Sequence, residues 1–137
     1  MPREKGFTLI EILVTVIILA VGLLGLAGLQ AAALKYTSTA YQRAQATSLA
    51  YDILDQMRAN VIAARAGAYN MVCPPPPLGA TLAARDLQDW CQALVNTLPL
   101  ATGSVAQNGN RFTITIQWDD DRDPNTPALS FQTDTEL

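Results

Sequence analysis

One stretch constrains this chain more than any other. From Ile12 to Leu29 every residue is apolar except Thr15 and the small residues Gly22, Gly25 and Gly28. Counted from Phe7, the run is about 23 residues, enough to cross a hydrocarbon core of roughly 30 Å as a helix. Arg3 and Lys5 precede it. By the positive-inside tendency the N-terminus then stays in the cytoplasm and the remainder is exported. An ordinary secretory signal has a shorter apolar core, with a small-residue cleavage site after it. Here the run is too long, and the glycine that would mark a cleavage point, Gly6, stands before it.

Composition alone fits a plain single-pass anchor equally well, and Glu11 decides between the two. A carboxylate inside a spanning segment costs several kcal/mol unless it is paired, so it marks a functional position. No Lys or Arg stands between Lys5 and Lys35 to pair with it on the same helix. Cleavage between Gly6 and Phe7 would create a new cationic amine on Phe7. That amine would lie four residues from Glu11, on the same helical face. It could meet its own Glu11 or that of a neighbouring subunit.

Lys5-Gly6-Phe7-Thr8-Leu9-Ile10-Glu11 resembles the class III leader and processing site of type IV prepilins and type II secretion pseudopilins. The resemblance covers these residues and the apolar run. It implies that a prepilin peptidase cuts after Gly6 and N-methylates Phe7, and that Glu11 supports recruitment and docking of the subunit. The implied partners are that peptidase, other minor and major pilins, and the inner membrane before assembly. Gly22, Gly25 and Gly28 could let helices approach closely, or be tolerated as membrane helices tolerate glycine.

Beyond Leu29 the chain keeps a helical character. Ala46, Leu49, Ala50, Ile53, Met57 and Val61 recur at steps of three and four, which marks one apolar face. Gly67 follows as a candidate C-cap. The simplest reading is one helix from Phe7 to Arg65, about 90 Å long at 1.5 Å per residue. Tyr69 to Gly79 reads as a linker stiffened by Pro74 to Pro77. A second helix is expected over Ala83–Leu98, with Leu87, Trp90, Cys91, Leu94 and Leu98 on one face. Asp86 and Asp89 fall near its start, where the helix dipole favours acids, and Pro99 ends it.

The period then changes to two. Phe112, Ile114, Ile116 and Trp118 alternate with Arg111, Thr113, Thr115 and Gln117, as in a half-buried strand. Asn108-Gly109 is a hairpin signal with Ser104–Gln107 as the partner strand. Leu129 and Phe131 begin a last short strand. The expected fold class is α+β: a pilin-like lollipop, with a long N-terminal helix packed on a small antiparallel sheet of about three strands and one short extra helix. The expected organisation is a leader at 1–6, an apolar membrane or filament-core helix at 7–29, and a periplasmic or surface domain at 30–137. The second helix ending Leu98-Pro99, followed by Thr113-Ile-Thr-Ile-Gln-Trp118-Asp119-Asp120, resembles the PilV-like minor pilins, also called type IV pilus modification proteins. The proline run and the mid-chain cysteines depart from that pattern.

Other chemistry finds little support. From Gln30 onward there are seven basic and ten acidic residues, with no cluster of Lys and Arg to hold a phosphate backbone. The chain has no His, so Cys73 and Cys91 lack both a partner base and a full zinc ligand set. In an exported domain they read best as a disulfide, contributing about 3 kcal/mol in the chain-entropy model. Asp119, Asp121 and Asp123 have the alternate spacing of the first calcium ligands in a helix–loop–helix site. Pro124 and Ser130 stand where such a loop needs Gly and Glu, so a solvated acidic loop is the better reading. No catalytic residue and no cofactor is expected. The expected function is that of a minor pilin built into a type IV pilus or its priming and tip complex, supporting assembly and through it motility and adhesion. The alternatives are a minor pseudopilin of a type II secretion filament and an uncleaved, membrane-anchored binding domain.

Overall fold

The computed structural model describes residues 6–74, 79–119 and 126–137. The chain divides into two units, Met1–Ser38 and Thr39–Leu137. Helix α1, Leu9–Ala59, contributes its first part to one unit and its second part to the other.

In the first unit the helix is apolar, and none of the described residues covers its large side chains. The large side chains from Leu9 to Leu34 are all exposed, and an 18-residue window within α1 has a mean hydropathy of 2.8 with no burial. By length and composition α1 can cross a membrane.

The second unit holds the core. Ala46, Leu49, Ala50, Ile53, Leu54 and Met57 of α1 are buried, at the three- and four-residue steps the sequence shows. Helix α2, Val61–Arg65, follows a break at Asn60, so the helix expected to run unbroken to Arg65 is interrupted. The side chain of Asn60 donates to the Tyr69 hydroxyl at 3.2 Å. Val61 is only half-buried. Gly67, with φ +85°, closes α2 as expected. Its N–H bonds the Ala64 carbonyl at 2.9 Å and the Ala68 N–H bonds that of Ala63 at 3.0 Å, a Schellman ending that needs a left-handed residue.

Strand β1, Met71–Cys73, lies inside the segment read as a linker. Helix α3, Leu82–Thr97, buries Leu87, Trp90, Cys91 and Leu94 as expected, and Leu98 just beyond it. Thr81 caps its start, accepting from the Ala84 N–H at 3.2 Å. That start leaves Asp86 outside the first turn, and its carboxylate instead accepts a hydrogen bond from the Tyr69 hydroxyl.

Strands β2, Thr102–Asn108, β3, Arg111–Trp118, and β4, Leu129–Glu136, complete an antiparallel sheet of order β1-β2-β3-β4. It has four strands where about three were expected. Asn108 pairs with Arg111, so the hairpin loop is Gly109-Asn110, one residue later than expected. Gly109 has φ +62°, and a two-residue hairpin with glycine first accommodates that angle. Strand β4 continues to Glu136, beyond its apolar start, because it stays in register with β3 from Leu129↔Trp118 to Glu136↔Arg111.

Phe112, Ile114, Ile116 and Trp118 are buried, while Leu129 and Phe131 are half-buried against the same core. Two indoles fasten the second part of α1 to the rest of this unit. The Trp90 N–H donates to the Leu49 carbonyl at 2.8 Å, and the Trp118 N–H donates to the Gln42 side-chain oxygen at 3.0 Å. Gly103 is where α3 approaches β2 most tightly: a Cβ there would stand 2.5 Å from Leu94 Cδ1 and 2.7 Å from Trp90 Cη2. The α+β class is as expected, with a long N-terminal helix, a small antiparallel sheet and short additional helices.

Candidate functional site

The residues singled out near the N-terminus lie where the helix begins. Gly6, Phe7 and Thr8 are outside α1 and exposed. Phe7 retains 80% of its surface. Gly6 has no positive φ, and a Cβ built on it meets nothing within 4 Å. Nothing in the chain's own packing therefore calls for glycine at this position.

Thr8 marks the boundary. The Glu11 N–H reaches the Thr8 hydroxyl at 3.4 Å and the Thr8 carbonyl at 3.1 Å, and the Ile12 N–H reaches that carbonyl at 3.4 Å. These are the bonds of an N-cap, which occupy backbone donors that the first helical turn leaves without partners. Thr8-Leu9-Ile10-Glu11 also has the spacing of a capping box, but the Glu11 carboxylate makes no return bond to the Thr8 N–H. Among the described residues it forms no ion pair. It remains available to another donor, in a stretch where a charge without a partner is costly.

Phe7, Glu11, Ile12, Thr15 and Val16 line one open groove of about 350 Å³. The Thr15 hydroxyl donates to the Glu11 carbonyl at 2.7 Å, which satisfies its polar group within the helix. Phe7 and Glu11 thus line the same groove, although Phe7 itself precedes the helix.

Elsewhere, Cys73 and Cys91 form a disulfide with their Cα atoms 5.7 Å apart. Both are buried. The bond ties edge strand β1 to α3 and lies deep in the second unit. Of the calcium candidates, Asp119 is half-exposed at the end of β3. Asp121 and Asp123 lie outside the described residues. Among the described residues no group of three or more potential ligands gathers to hold a metal.

The Tyr69 hydroxyl is pushed up to about 12, chiefly by burial and next by its bond to Asp86. It joins Asn60 to α3. The sequence gives no direct sign of this link, because its three members lie in the helix break, the loop after α2 and α3.

The sequence singles out Gly6, Phe7 and Glu11 as candidates, and the cap at Thr8 has a signal only in its spacing to Glu11. A family model, the prokaryotic N-terminal methylation motif, matches residues 1–27. No curated protein and no solved structure matches the chain. The matched residues take in the leader, the start of α1 and most of its apolar run. The match supports a place for this chain among prepilins and pseudopilins, which are processed at such a leader and then assembled.

Proposed function

We propose that this chain is a minor pilin of the PilV-like kind, a structural subunit of a type IV pilus or of its priming and tip complex. A prepilin peptidase hydrolyses the Gly6–Phe7 bond and releases residues 1–6. The new Phe7 amine is N-methylated and stays basic, hence cationic near neutral pH. Residues 7–29 hold the precursor in the inner membrane, N-terminus in the cytoplasm, and then enter the filament core. Residues 30–137 form the periplasmic, later surface, part. The subunit is a substrate of the peptidase and performs no catalysis of its own.

The observation that carries this reading is the Glu11 carboxylate. It is the one acidic group of the apolar run, without an ion pair among the described residues, on the groove that Phe7 also lines. Pairing with the Phe7 amine of a neighbouring subunit would offset the cost of placing it in lipid or in a filament core, and would set the register between subunits. The PilV-like assignment rests on the pattern from Leu98-Pro99 to Asp119-Asp120. A type II secretion pseudopilin shares the whole N-terminal argument and is the second reading.

Intact-mass and N-terminal peptide spectrometry on the chain from membranes or sheared filaments tests the processing. The expected result is a start at N-methylated Phe7, and a start at Met1 in exported material would reduce the chain to an uncleaved anchor. Glu11→Ala should lower incorporation into filaments at least about tenfold while insertion into the membrane is unchanged. Normal incorporation of that variant would remove the role given to Glu11.

A further inference from the structure

We propose that Thr8 is a positioning residue for processing, setting the register between the Gly6–Phe7 bond and the start of α1. The inference rests on the reading of Gly6–Phe7 as the cleaved bond. Among the described residues Thr8 bonds within its own helix start, to Glu11 and Ile12, so it acts through the backbone.

Three observations lead to it. First, the helix begins at Leu9, immediately after Thr8, and Gly6 and Phe7 remain exposed outside it. The peptide to be cut therefore precedes the cap by one residue. Second, the Thr8 hydroxyl and carbonyl together accept from the Glu11 and Ile12 N–H groups. The Glu11 N–H is shared between the carbonyl at 3.1 Å and the hydroxyl at 3.4 Å, so losing the hydroxyl weakens this helix start without leaving the donor bare. Third, the box is made in one direction only. The Glu11 side chain does not help to hold the start, and the hydroxyl of Thr8 is the side-chain cap that remains.

The physical consequence concerns the substrate as a peptidase meets it. A carbonyl within a helical turn accepts an N–H from four residues on, and it turns along the helix axis. Were α1 to start one turn earlier, the Gly6 carbonyl would accept from Ile10 and the scissile bond would be sequestered. Were it to fray to a later start, Glu11 would leave the first turn and the scissile bond would stand further from the helix. Both shifts move the bond relative to the helix that an intramembrane peptidase must grip. Glycine at position 6 opposes the first shift by its low helix propensity, and Thr8 opposes both.

The test measures cleavage of the full-length precursor in membranes containing a prepilin peptidase, for wild type and four variants. Thr8→Ser and Thr8→Asn keep a capping side chain but change the shape. Thr8→Val keeps the shape and loses the cap, and Thr8→Ala loses both. The expected result is near-wild-type cleavage for Ser and Asn, and cleavage slowed about three- to tenfold for Val and Ala, with membrane insertion equal in all five. Cleavage of Thr8→Val at the wild-type rate overturns the proposal. Slowing of Ser and Asn as severe as that of Ala also overturns it, because the peptidase would then be reading the β-branched side chain directly. Absence of cleavage in the wild type is a separate outcome that defeats the processing reading itself.

Discussion

The two parts of α1 are one helix in two settings. Its first part, through Leu34, leaves every large apolar side chain exposed, whereas its second part buries Ala46, Leu49, Ala50, Ile53, Leu54 and Met57 within the core of the second unit. The helical backbone is the same, but the source of its stability differs. In the second part an apolar stripe packs on α3 and the sheet, and the remaining faces are polar, as in any amphipathic helix. In the first part no stripe exists, because the whole circumference is apolar. Such a helix satisfies its backbone internally and requires an apolar surrounding, whether lipid or the helices of other subunits. The single acid of that part then has a functional reading, while the two acids of the second part, Asp52 and Asp55, are exposed to solvent. Disturbing the second unit should therefore leave insertion and processing untouched.

The harshest way to test that separation is Trp118→Ala. Trp118 is 1% exposed and donates to Gln42, so truncation should cost about 3–5 kcal/mol. Denaturant unfolding of the full chain in detergent micelles, followed by the fluorescence of Trp90, would show it. The comparison predicts unchanged membrane insertion. Loss of insertion would break the independence of the two parts.

A somewhat smaller effect is expected from Cys91→Ser in the same assay. Removing the Cys73–Cys91 bond should cost about 3 kcal/mol by freeing the loop in the unfolded chain. Reduction of the wild type should lower its stability to a similar degree.

These two changes also mark how far the sequence could be read. Strand β3 was fully legible, since its alternation spans Arg111 to Trp118 without a break. Helix α3 was legible to within a residue at each end. Strand β1 was hidden because Met71-Val72-Cys73 is too short to show a period and sits before prolines. Its strand character comes from pairing with Gly103, Ser104 and Val105. The far half of β4, Thr133 to Glu136, is polar and is a strand because β3 is beside it. The break at Asn60 lies within a helical pattern and accompanies a side-chain bond to Tyr69, a contact no local pattern announces. At the N-terminus Glu11 was conspicuous because charge in an apolar run is expensive. Thr8 was not, because threonine is unremarkable there until its hydroxyl is seen to cap the helix.

The smallest expected effect sharpens the comparison through pH. Tyr69 is pushed up to about 12 in the folded chain, above the ordinary value of about 10. A raised value means that its contribution is complete below about pH 10 and is lost as pH rises through about 12. Stability of the second unit should fall in that window by about 1–2 kcal/mol, and Tyr69→Phe should flatten the response. Helix content in the first part should not change with it. A loss that begins well below pH 10 would point to a group other than Tyr69.

The tight approach at Gly103 limits the paths by which this domain can change over time. A side chain at position 103 needs both Leu94 and the Trp90 indole to give way, because both already occupy its space. A smaller residue at position 90 gives up the indole bond to the Leu49 carbonyl, so that path begins with a loss. A smaller residue at position 94 alone keeps that bond and opens a cavity, but leaves Trp90 Cη2 2.7 Å from the new Cβ. Substitutions at these three positions are thus coupled, and relatives that carry a side chain at position 103 should differ at both position 90 and position 94.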